Sequence, residues 1–208
     1  MLPIETLAAF FAASVLLALA PGPDNLFVLT QSALHGRKSG LVVMLGLCTG
    51  LIVHTSAVAF GVAAIFQASA LAFTTLKICG AGYLLYLGWQ AFRAAATEIE
   101  TTDNEEPSIG SLYRRGIIMN ITNPKVSIFF LAFLPQFADP ARGSLTLQLL
   151  LLGGVFILAT ILIFGSIALL AGTLGEWLHR STKIQRFINL LAGSIFVGLA
   201  LKLATTER

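Results

Sequence analysis

The chain alternates long apolar runs with short polar joints, and the runs have the length of bilayer-crossing helices rather than of core strands. A hydrocarbon core needs about 20 mostly apolar residues per helix. That rule predicts six spans, near 6–33, 40–66, 70–92, 114–137, 145–173 and 187–204. The joint between the third and fourth spans, "AAATEIETTDNEEPSIGSLYRR", holds five acids and is the one long polar stretch. It divides the chain into a first three-helix unit (1–93), an acidic linker (94–113) and a second three-helix unit (114–208).

Two of the runs are interrupted. "LALAPGPDNLFVLTQ" sets Pro21, Gly22, Pro23, Asp24 and Asn25 inside the first span, and Asn123-Pro124-Lys125 sits inside the fourth, with Asn120 just before it. Proline removes a backbone donor and clashes with the carbonyl four residues back, so helices 1 and 4 are expected to break. The other spans echo one another as well. Gly50 and Phe60-Gly61 recur as Gly154 and Phe164-Gly165, 104 residues on, and Ala81-Gly82 recurs as Ala192-Gly193 at 111. A unit of three spans starts its second copy from the opposite face. The expected fold is therefore all-α and integral to the membrane, with two inverted three-helix repeats, a plan common in secondary transporters.

Composition agrees with this picture. Of 208 residues, 56% are hydrophobic and 11% charged, against about 25% charged in soluble domains; the mean hydropathy is +0.86. The net charge of +3 contains no basic run, which argues against nucleic acid as a partner and for a topological bias. Eight Lys and Arg fall in the first, third and fifth linkers and three on the other side. The odd linkers are expected in the cytoplasm and both termini outside. The apolar start has no Lys or Arg before it, so it reads as a retained first span rather than a signal peptide.

Candidate chemistry gathers at the breaks. In hydrocarbon, freed backbone groups have to be met by protein or by a water-lined cavity, so two breaks at mid-membrane depth suggest a cavity between the halves. An acid within a span usually faces the bundle interior. Asp24 either caps its half-helix, or holds a substrate ammonium or a coupling proton. Lys125 either faces a substrate carboxylate or locks the two halves as an ion pair with Asp24. Asn25, Asn120 and Asn123 either line the cavity or satisfy broken backbone. His54, in the second span, is a proton relay or a packed histidine. Lys77 lies near a span end, where it can snorkel. Gly46 and Gly50 form a GxxxG that favours close helix contact within a chain or in a homodimer. Cys48 and Cys79 read as buried thiols, with no metal-ligand spacing near them.

"APGPDNLFVLTQSALHGRKSG", "GAGYLLYLGWQAFR" and "NPKVSIFFLAFLPQF" together resemble the LysE/RhtB amino-acid exporter family, in its homoserine, threonine and neutral amino-acid efflux branch. The resemblance covers nearly the whole chain. It implies a six-helix protein of the bacterial inner membrane that expels amino acids at the expense of the proton gradient, without a cofactor and without enzymatic activity. Carried over by position, it places Pro21, Gly22, Pro23, Asp24 and Asn25 in the first motif and Asn123, Pro124 and Lys125 in the second. Two other readings stand beside it. An intramembrane thiol electron carrier would use Cys48 and Cys79, and a metal-ion exporter would use His54, Asp24 and the cysteines.

Overall fold

The computed structural model describes residues 2–62, 70–93, 107–179 and 182–205. They form α1 (Ile4–Leu19), α2 (Pro23–His35), α3 (Arg37–Ala57, extended by a π-helical turn at Val58–Val62), α4 (Ala70–Arg93), α5 (Ile109–Thr122), α6 (Pro124–Ile128), α7 (Leu145–His179) and α8 (Thr182–Thr205). After α6 the chain continues through a π-helical turn at Phe129–Phe133 and a 3-10 turn at Leu134–Phe137. Most of the acidic linker, 94–106, and the end of the second expected span lie outside the described residues.

The expected breaks are present. The axis turns by 61° between Ile4–Leu19 and Pro23–His35, and by 51° between Ile109–Thr122 and Pro124–Phe137. In each case a proline occupies the first turn of the downstream helix, where its missing N–H costs nothing. Two helices, Arg37–Gly61 and Leu145–Ala171, are long and apolar enough by themselves to cross a membrane; taking each bent pair as one span gives four. α4 and α8 occupy the places of the third and sixth expected spans. The fourth begins at Ile109, five residues before the expected 114, because Ser108 caps it by accepting from Ser111 N. Its first turn is polar enough to have read as linker.

Large apolar side chains lie exposed along the helices, among them Phe60, Leu71, Leu147 and Phe187. On a soluble surface such coverage would drive association; here it is the face offered to lipid, and the chain is a membrane protein. Inside, α3 packs on α5, α1 and α2 pack on α7, and α4 packs on α8. The α3–α5 crossing depends on missing side chains. A Cβ on Gly46 would stand 2.3 Å from Tyr113 O, and one on Gly116 would stand 2.6 Å from Val43 O. The Gly46/Gly50 motif is thus spent on contact within the chain, with Gly50 making room for the Asn120 side chain at 2.7 Å.

Gly46→Ala should cost about 1–3 kcal/mol, because rigid backbone has to move to admit the methyl group. Gly154, with nothing within 4 Å of its Cβ position, should accept alanine without loss. Thermal melting of the two variants in detergent checks the contrast.

Candidate functional site

The two breaks meet in the interior and satisfy each other. Pro21 has no N–H to give to Leu17 O, and the extended backbone at Ala20 and Gly22 ends the ladder of α1. Lys125, from the other half of the chain, reaches across. Its Nζ donates to Ala20 O at 3.0 Å and to Leu17 O at 3.5 Å. Asn25 Nδ2 takes Ala18 O, and Ala20 N bonds Leu16 O at 3.0 Å. An ammonium on the last carbonyls of a helix also sits at the negative end of its dipole. Gly22 permits the approach, since a Cβ there would stand 2.9 Å from Lys125 Nζ.

The second break mirrors this. Pro124 cannot donate to Asn120 O; Asn123 N bonds that carbonyl at 3.1 Å, and His54 from α3 joins it through Nε2 at 3.2 Å, with its ring 5.6 Å from that of Phe130. Asn123 caps α6 by accepting from Lys125 N at 3.0 Å and donates through Nδ2 to Asp24 Oδ1 at 2.9 Å. Asn120 Nδ2 donates to Asp24 Oδ2 at 3.3 Å. Asp24 lies in the first turn of α2, where the helix dipole favours a negative charge. Both carboxylate oxygens therefore hold amides from the opposite half.

All nine break residues named from the sequence fall in this region, with Asp24, Asn120, Asn123 and Lys125 each less than 8% exposed. Asp24 and Lys125 make no ion pair; Asn123 links them, one amide oxygen on the Lys125 backbone and one amide nitrogen on the Asp24 carboxylate. Asn25 is occupied with broken backbone, and so is His54, which the sequence had offered as a relay. Two acceptors, Asn25 Oδ1 and Asn120 Oδ1, are buried with no hydrogen-bond partner among the described residues.

Cavities flank the centre. One of about 20 Å³ is lined by Asp24, Asn120, Lys125 and apolar groups of α1, α3 and α7. A second, about 300 Å³, runs from Pro21, Gly22, Asn123 and Lys125 toward Gln90 and Asn189. Lys125 lines both. A third, about 490 Å³, lies at the opposite end among Leu2, Glu5, Phe137, Asp139 and Lys202. Between the first and third stands a column of rings: Phe156 lies 5.2 Å from Phe129, Phe129 lies 4.8 Å from Phe133, and Phe133 lies 5.1 Å from Phe137. Cys48 is buried, but Cys79, expected inside, is exposed, and neither is bonded. Among the described residues no three His, Cys, Asp or Glu side chains gather as a metal site would require.

Broken helices meeting end to end in an apolar bundle, with buried charges and cavities at the junction, define a membrane translocator. The chain belongs to the LysE type translocator family, which matches residues 15–207. It is 36% identical to the homoserine/homoserine lactone efflux protein of Salmonella typhimurium over 96% of each chain. It is 37% identical to an uncharacterised membrane protein of Vibrio cholerae over 98% of each. No solved structure matches it.

Asn123→Ala removes both a helix cap and a donor to a buried carboxylate. It should destabilise the protein by about 2 kcal/mol or more, read as a fall in melting temperature in detergent.

Proposed function

We propose that this protein is a secondary exporter of small neutral amino acids, of the homoserine and threonine type, working by alternating access across the bacterial inner membrane and driven by the proton gradient. The observation that carries the reading is the exchange of partners at the two breaks. It sets a carboxylate and an ammonium, both buried and both held from the opposite half, beside cavities that converge on Lys125. A zwitterion needs both signs of charge. Lys125 carries three N–H donors and spends two on α1, which leaves one for a substrate carboxylate. Asp24 takes the substrate ammonium or the coupling proton. The Salmonella relative's name supports homoserine and its chemical neighbours as cargo.

In this reading there are six spans in two inverted units. The packing supports it: the bent first span lies on the fifth, through α1 and α7, while the bent fourth lies on the second, through α5 and α3. The third and sixth lie on each other, as a two-fold axis in the membrane plane would have them. The 300 Å³ cavity reaches Gln90 and Asn189, near the ends of the helices that join the basic linkers, so it is the cytoplasmic entrance. Both termini are then periplasmic, and the phenylalanine column is the closed outer gate. The 20 Å³ cavity is too small for an amino acid, so loading widens it.

Proteoliposomes preloaded with labelled homoserine and given an imposed pH gradient test this. Saturable, gradient-driven efflux is expected, and Asp24→Asn should abolish the gradient-dependent part while the protein stays folded. Unchanged coupled flux in Asp24→Asn rejects the role given to that carboxylate.

A further inference from the structure

The middle of α7 reads "VFILATILIFG" from 155 to 165, and Thr160 is its only polar side chain. It is 2% exposed. A buried hydroxyl in an apolar helix ordinarily bonds back to the carbonyl four residues earlier. Ser14, Ser32 and Thr55 do so here, each at 2.7 Å. Thr160 makes no such bond among the described residues. Its side chain instead lines the 20 Å³ cavity together with Asp24, Asn120 and Lys125, and Asn120 carries one of the buried oxygens that lack a partner.

We propose that Thr160 and Asn120 Oδ1 form a subsite that reads a hydroxyl group on the transported molecule. The inference rests on the amino-acid export reading above and names the part of the site that selects the side chain. A cavity of this size holds about one water-sized group, which is the size of a hydroxyl end and not of a whole amino acid. The ammonium and carboxylate of the substrate meet Asp24 and Lys125, and the side-chain end enters the small cavity that Asn120 and Thr160 line. There the substrate hydroxyl donates to Asn120 Oδ1 and accepts from the Thr160 hydroxyl, which can both give and take. An apolar isostere leaves both groups unpaired in a dry pocket, and discrimination of this kind exceeds what a methylene-sized fit can supply.

The test compares L-homoserine with L-norvaline, in which a methyl group replaces the hydroxyl, as cargo for the full-length protein in proteoliposomes. Wild type should favour homoserine in kcat/KM by about tenfold or more. Thr160→Val, equal in shape, should cut that ratio by about tenfold, while Thr160→Ser keeps the hydroxyl and the preference. Thr160→Ala, which leaves room rather than demanding it, should lose the preference as the valine does if the valine variant fails to fold. A ratio unchanged in the valine or alanine variant, with both fluxes retained or both falling together, overturns the subsite alone. A wild-type protein that moves neither amino acid overturns the export reading, and the subsite falls with it.

Discussion

A carbonyl that loses its helical donor inside an apolar bundle has to be met by some other group, and that requirement organises this protein. Pro21 and Pro124 each remove a donor. Each half reaches across to help repair the other's break: Lys125 serves the carbonyls at the end of α1, and His54 joins Asn123 N on Asn120 O at the end of α5. Asp24 completes the exchange by accepting amides from Asn120 and Asn123. An unsatisfied buried polar group costs about 1–3 kcal/mol, and several are at stake, so the polar centre is a tie between halves.

The surrounding packing fixes where that tie sits. The glycines of α3 and α5 let backbones touch, and Gly50 leaves the space that the Asn120 side chain fills. Replacing these glycines with larger residues would move Asn120 away from Asp24. The π-helical turn at Phe129–Phe133 follows directly on the short α6 and turns its phenylalanines inward, so the ring column begins where the charged centre ends. Local geometry and chemistry are thus coupled: the same break that presents Lys125 also aims the aromatic residues.

Much of this was legible in the sequence, for physical reasons that can be named. Proline cannot donate, so the breaks at Pro21 and Pro124 announce themselves, and an aspartate beside one break and a lysine beside the other mark the polar centre. The partners were less legible. A lysine side chain is long enough to reach either a carboxylate or a helix end, and only the fold shows Lys125 on Ala20 O rather than on Asp24. His54 reads from sequence more readily as a packed residue than as a relay, and the fold sets it on the Asn120 carbonyl beside the Pro124 break. Thr160 passed unnoticed because a single threonine in an apolar helix looks like any back-bonded one. Cys79 was placed inside because a thiol in an apolar run carries no sign of which face it occupies. The start of α5 at Ile109 was hidden by a polar first turn, where capping by Ser108, and not hydropathy, decides the boundary.

The column from Phe156 through Phe129 and Phe133 to Phe137 has a meaning for the membrane as a whole. Protons cross lipid along files of water, each molecule passing one on through a hydrogen bond, and a benzyl ring offers no link in such a file. With those rings in contact, the way from the polar centre to the far end is filled by aromatic hydrocarbon. Under the proposed export, many copies of the protein would sit in the membrane without discharging its gradient, because the rings would insulate while the polar groups beneath them select.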